Sequence, residues 1–355
     1  MSELNFGKTI TLKQASQMIL ATPQNRYLLQ GEPGIGKSSL LKTLGASLPS
    51  HEIAYIDVPN MDLGDIAMPV INHETKTTAY YPNTRFKVHT GKPVITMLDE
   101  FTKGAEPVKN MLLPLLEVAN PRLGDVSVHP DSIIFLTGNL GTDGVGDTLK
   151  AHSRNRIIPL TISKPDADQW IEWAINNDIA PEVIAWVKQF PHALASYTDP
   201  SQRENPYIFN PTRAGMGAVV TPRSLEKASH IAKRRAELGD ALTINLLTGT
   251  IGESASRDMQ AFFTVVDKLP TWEQILANPT GAKMPDDAVA RCILVFSAIS
   301  RVDKETLSKW LTYSKRMDME WQALFATSVM KSPKQSFCVM NSDFKDWALK
   351  NQWLF

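Results

Sequence analysis

Cysteine is nearly absent: Cys292 and Cys338 are the only two among 355 residues. They stand far apart in apolar surroundings, with no C-x-x-C pair or His/Cys cluster beside them. A disulfide framework and a thiolate metal site are therefore excluded, and both are expected as buried free thiols in a reducing compartment. Net charge is absent too, with 37 basic against 37 acidic residues. The balance holds locally, at 15 against 15 over positions 1–163. No bulk field draws the chain to nucleic acid or an anionic membrane, although a locally charged pore lining stays open. No apolar run reaches the ~18 residues of a spanning helix. Met1-Ser2-Glu3-Leu4-Asn5 carries neither a basic n-region nor an apolar h-region, so no signal peptide and a soluble, cytoplasmic protein are expected. The length allows two or three domains with ample core.

Against that even background one stretch stands out. Gly31-Glu32-Pro33-Gly34-Ile35-Gly36-Lys37-Ser38 satisfies G-x-x-x-x-G-K-[ST] at every required position. A short β-prone segment, Asn25 to Gln30, precedes it, and Ser39-Leu40-Leu41-Lys42-Thr43-Leu44 reads as a helix after it. Strand, glycine loop and helix aim successive backbone N–H groups and a helix N-terminus at an anion. Residues 31 through Ser39 are the expected phosphate cradle. Lys37 would reach the β- and γ-phosphates, and the Ser38 hydroxyl would hold Mg²⁺. The plain alternative is a glycine-rich turn with an exposed lysine.

Four further groups fit the same chemistry. Pro93-Val94-Ile95-Thr96-Met97-Leu98 is a buried-type strand ending in Asp99-Glu100. Phosphoryl transfer needs charge neutralisation and positioning. Asp99 would hold Mg²⁺ through its water shell, and Glu100 would polarise the attacking water. Thr137-Gly138-Asn139 ends the next strand, where the Asn139 amide can meet a γ-phosphate or the lytic water. In Ser153-Arg154-Asn155-Arg156, Arg154 and Arg156 lie where they can reach a neighbouring subunit's nucleotide, or else form surface ion pairs. Thr221-Pro222-Arg223-Ser224 opens a helix, with Thr221 as N-cap, Pro222 at N1 and Arg223 where it could face phosphates.

The chain order gives the architecture. A helix over 11–21 precedes strands at 25–30, 51–58, 93–98, 132–137 and 157–162, with a hairpin at 68–81 and a smaller one at 123–128. A helix is expected from Glu106 to Ala119. Strands alternating with helices predict an α/β, doubly wound parallel five-stranded sheet. From Ser163 onward the pattern is helical, broken near Pro191, Tyr207–Thr212, Gly239, Asn278–Pro285 and Lys331–Lys334. Phe190–Ala214, with its four prolines, reads as a flexible linker. No internal repeat, low-complexity tract or heptad array appears. Ser163-Lys164-Pro165-Asp166 imitates a guanine-reading tetrapeptide; it reads better as a helix start with Ser163 as N-cap, and Asp-Glu instead of Asp-x-x-Gly also argues against GTP. Lys233-Arg234-Arg235 reads as a solvated helix face. Trp170, Trp173 and Trp186, at helical spacing, read as core.

These residues together resemble the AAA+ ATPases, and within them the MoxR-like branch related to the magnesium and cobalt chelatase motor subunits. The resemblance rests on the Walker A loop at 31–38, Walker B over Val94–Glu100, sensor 1 at Asn139, the arginines 154 and 156, and sensor 2 at Arg223. Met61–Pro69 resembles that branch's helix-2 insertion, Arg122–Asp125 its pre-sensor-1 hairpin, and Ile275–Pro279 with Pro285–Asp287 a helical tail. It implies an ATPase domain over 1–163, a helical lid over 164–238 and a helical C-terminal domain over 239–355. It also implies a ring, expected as a hexamer, with ATP and Mg²⁺ between protomers. Such a ring would act as a chaperone, remodelling or metal-insertion motor on a protein client, with a von Willebrand factor A-type partner. A DNA-directed motor or loader and a nucleotide-dependent structural switch are the alternatives. The family's usual Asp-Arg-Phe-like tripeptide is here Asn155-Arg156-Ile157, which leaves open which arginine is the finger.

Overall fold

The structure is a computed structural model that describes residues 9–140, 155–211 and 217–354. It divides into two compact units, residues 1–164 and 165–355.

The first unit is built on β1 (Tyr27–Gln30), β2 (Glu52–Asp57), β5 (Val94–Asp99), β8 (Ile133–Gly138) and β9 (Ile158–Thr161). They form one parallel sheet in the order β2-β5-β8-β1-β9. β8 thus lies between the strand leading into the P-loop and the strand ending in Asp99. β5 and β8 are continuous apolar runs because helices cover both faces of a parallel sheet. β2 is an edge strand and alternates instead, burying Ala54 and Ile56 while exposing Ile53 and Tyr55. On one face Leu28, Leu98, Ile134 and Leu136 pack with Phe101, Leu112 and Leu116. On the other, Leu29, Met97 and Phe135 pack with Ile19 of α1 (Leu12–Ala21) and Leu40 and Leu44 of α2 (Ser39–Ser47).

Both expected hairpins form, as β3 (Ala67–Asn72) with β4 (Thr77–Pro82) and β6 (Arg122–Leu123) with β7 (Val126–Ser127). They are joined where the Asp125 amide donates to Tyr80 O at 2.9 Å. Gly124 is needed at that junction: its φ is +58°, and a Cβ there would stand 2.3 Å from Tyr80 O. The helix expected over Glu106–Ala119 is shorter. α3 (Glu106–Leu112) gives way to a 3-10 turn at Leu113–Leu116, because Pro114 has no N–H to continue the α ladder.

The second unit is helical, with no strand among its described residues. Trp170, Trp186, Trp310, Tyr313 and Phe325 lie in one buried cluster, whereas Trp173, expected in the core, is exposed. Residues 190–211 are not a flexible linker. Pro191–Leu194 forms a 3-10 turn, and Leu194, Tyr207 and Ile208 join the core. Tyr207 stands edge-on to Trp186 at 5.8 Å and donates from its hydroxyl to Asp258 Oδ2 at 2.7 Å. Prolines dominate the pattern there, but the apolar residues between them decide the packing. The N-cap of the helix Ala167–Ile175 is Asp166, not Ser163: its side chain accepts from the Gln169 amide at 2.8 Å in a capping box. No helix among the described residues is long and apolar enough to cross a membrane.

Candidate nucleotide site

The loop after β1 is shaped by its glycines. Gly34 and Gly36 have φ of +75° and +98°, a left-handed region that lets successive N–H groups converge on one point. At Gly31 a Cβ would stand 2.9 Å from Ile162 O, so the strand can pass β9 only without one. Ile35 is buried in the core beneath and anchors the loop. Pro33 is exposed and Glu32 buried. Ser38 stands at the start of α2, and its side chain makes no capping bond to that helix. Ser39 Oγ turns back to donate to Gly36 O at 2.7 Å.

The catalytic candidates meet at neighbouring strand tips. Lys37 Nζ donates to Gly31 O at 2.7 Å, to Glu32 O at 3.0 Å and to Asn139 Oδ1 at 3.3 Å. The amide just past β8 is therefore brought to the P-loop lysine across 102 residues of chain. Asp99, at the end of β5, accepts from Thr137 Oγ1 and, at 2.7 Å, from the Tyr55 hydroxyl. Glu100 follows with φ of +49°, a left-handed conformation that is sparse for a residue with a Cβ. Its amide donates to Thr137 Oγ1 at 3.0 Å, and Lys103 Nζ donates to its Oε2 at 2.9 Å. Lys37, Asp99, Glu100 and Asn139 thus share one end of the sheet.

The arginines are arranged differently. Arg156 lies in the turn before β9 and donates from Nε to Glu117 Oε1 at 2.6 Å within the same chain. Arg26, buried beside it, donates to Glu117 O at 3.3 Å, and burial pushes its guanidinium down to about 10. Arg154 lies outside the described residues. Arg223 is exposed in the first turn of the helix Pro222–Lys233, where Thr221 is the N-cap and Pro222 is N1, as expected. That helix belongs to the second unit.

Four side chains escaped the motif reading. Tyr55, Thr137 and Lys103 bond the Asp99–Glu100 pair, and Lys164 lies with its Nζ 4.0 Å from Glu32 Oε2. Both members of the last pair are almost wholly buried, and burial pushes Lys164 down to about 8 against the opposing pull of Glu32. Of these, Thr137 stands two residues before Asn139, and Lys164 enters the sequence reading only as part of the Ser163–Asp166 tetrapeptide. Lys233, Arg234 and Arg235 face Asp178, Glu237 and Asp267 respectively.

A glycine nest, a lysine and a helix start form an anion cradle, and a carboxylate with a hydroxyl are the hard oxygen donors that Mg²⁺ prefers. Together with the strand order they define the class: a doubly wound α/β fold carrying a P-loop, followed by a helical region. No family model matches the chain, and no curated protein matches it. Among solved structures, a candidate ATPase from Cytophaga hutchinsonii is 14% identical, with 74% of this chain and 91% of that chain covered and a TM-score of 0.34. NtrX from Brucella abortus in complex with ADP is 17% identical, with 89% and 66% covered and a TM-score of 0.39. The ATP complex of NtrX is 16% identical, with 90% and 68% covered and a TM-score of 0.38. Likenesses this distant carry no weight for function.

Proposed function

We propose that the chain is an ATP-hydrolysing AAA+ motor of the MoxR-like kind, working as a ring on a protein client. The observation that supports it best is the convergence of Lys37 and Asn139, with Asp99 and Glu100 at the adjacent strand end. In this reading the nest at Gly34–Gly36 and Lys37 bind the phosphates, Lys37 exchanging its present carbonyl partners for phosphate oxygens. Ser38 and Asp99 hold Mg²⁺, which supplies charge neutralisation on the phosphates. Glu100 accepts the proton of the attacking water, and Asn139 orients that water or the γ-phosphate. Residues 164–238 act as the lid, with Arg223 as sensor 2, and 239–355 as the C-terminal domain. An arginine from the next protomer, Arg154 or Arg156, completes the site, expected in a hexamer with a von Willebrand factor A-type partner. A protein client is favoured over nucleic acid because each cation of Lys233–Arg235 faces a carboxylate.

Lys37→Ala is the direct test. It should abolish tight ATP binding in calorimetric titration and turnover with it; unchanged affinity rejects the nucleotide reading.

A further inference from the structure

Asp99 is held by more than its own strand. Its Oδ2 accepts from the Tyr55 hydroxyl on β2 at 2.7 Å, and its Oδ1 accepts from Thr137 Oγ1 on β8. β2 and β8 are the two neighbours of β5, so the carboxylate is gripped from both sides. The two hydroxyls are placed differently. Thr137 has no exposed surface and also receives the Glu100 amide, so backbone organisation alone accounts for it. Tyr55 sits on the edge strand with 51% of its surface exposed, which places little of its ring in any core.

The donors are also neutral. Among the described residues Asp99 has no ion-pair partner, whereas Glu100, the next residue, is paired with Lys103 at 2.9 Å. A lysine on Asp99 would compete with a divalent cation for the same charge. Hydroxyls fix the carboxylate plane and leave its charge available. A carboxylate offers about four lone-pair sites. Two are used by Tyr55 and Thr137, and the rest stay open to a cation's water shell.

We propose that Tyr55 is a positioning residue for a divalent cation at Asp99, a role that rests on the nucleotide reading above. With Thr137 it stops rotation of the carboxylate, so that the open lone pairs point in one direction before the cation arrives. Hydrogen-bonding partners of metal-holding side chains change metal affinity by about 10- to 100-fold when removed.

Tyr55→Phe tests this, since it keeps the exposed ring and removes only Oη. Mg²⁺ is titrated into the full chain with a fluorescent ADP analogue. Half-saturation should rise about 10-fold or more, while affinity for the analogue in EDTA and the thermal midpoint stay at wild-type values. Mn²⁺ bound with ADP, followed by electron paramagnetic resonance, should show the same loss without any turnover. Thr137→Ser, which keeps the hydroxyl, should titrate like wild type. Lys37→Ala in the same assay separates the two possible failures. If it loses the analogue while Tyr55→Phe takes Mg²⁺ as wild type does, the Tyr55 role is overturned alone. If Lys37→Ala binds the analogue normally, the nucleotide reading falls and the Tyr55 role with it.

Discussion

The two units spend their unusual residues in opposite ways. In the sheet unit, charged and polar groups collect at strand ends, where Lys37, Asp99, Glu100 and Asn139 are held by hydrogen bonds. In the helical unit the large residues go inward, and Trp170, Trp186 and Trp310 bury even their indole N–H groups without a hydrogen-bond partner among the described residues. A parallel sheet delivers the end of every strand to the same side, so side chains far apart in sequence meet there. Helices deliver apolar stripes, which specify packing and carry no chemistry of their own. Substitutions should therefore alter turnover in the first unit and, Arg223 apart, stability in the second.

The sharpest test of that division after Lys37→Ala is Arg156→Ala. If a guanidinium from the next protomer stabilises transition-state charge, turnover should fall by about 10³–10⁵ while ATP binding persists. Here Arg156 is paired with Glu117, but both are partly exposed, and such pairs contribute only about 0–1 kcal/mol. The Glu117 pair by itself therefore opposes release toward a neighbour only weakly. Co-assembly of Arg156→Ala with Lys37→Ala should restore some activity, because some interfaces then join an intact P-loop to an intact arginine. Mixtures that stay inactive, with turnover independent of concentration, would remove the shared site.

Glu100→Gln comes next. It keeps shape and bonding but cannot take a proton, so hydrolysis should slow by about 10²–10⁴ with ATP still bound. Pull-down with this variant tests whether a protein client exists. A variant that hydrolyses at the wild-type rate would reassign the base.

Much of this was legible because the relevant signals are local. The P-loop and Asp99-Glu100 are contiguous motifs, and the five strands are short β-prone runs separated by turn residues. Tyr55 and Asp99 are 44 residues apart, and Lys164 and Glu32 are 132 apart; only the folded sheet brings such pairs together. The misread segments fail for a different reason. The helix expected over 106–119 runs through Pro114, the linker expected over 190–214 weighs prolines above the apolar residues among them, and Ser163 is expected as the N-cap where the Asp166 side chain caps instead.

In the helical unit, Trp186→Ala should cost about 3–5 kcal/mol, since it opens a cavity beneath Phe190 and Tyr207. Chemical denaturation measures this directly. The comparison is weakened if nucleotide affinity per folded molecule changes as well.

The smallest effect should come from the place where the sheet unit behaves like the helical one and hides a charge. Lys164 is almost wholly buried beside Glu32, and its folded-state value is lowered to about 8 from the ordinary 10.5. Below pH 8 the ammonium is protonated in both the folded and unfolded chains, and folding carries the full cost of burying it. Between about 8 and 10.5 the unfolded chain binds more protons than the folded one, so the folded state gains stability as pH rises. Lys164→Met has no proton to lose, and its own change with pH serves as the baseline. Relative to that variant, the wild type should gain roughly 2 kcal/mol between pH 7.5 and 10 in urea denaturation. A gap that narrows or stays constant would mean that Lys164 keeps its proton, held by Glu32 more strongly than burial opposes it.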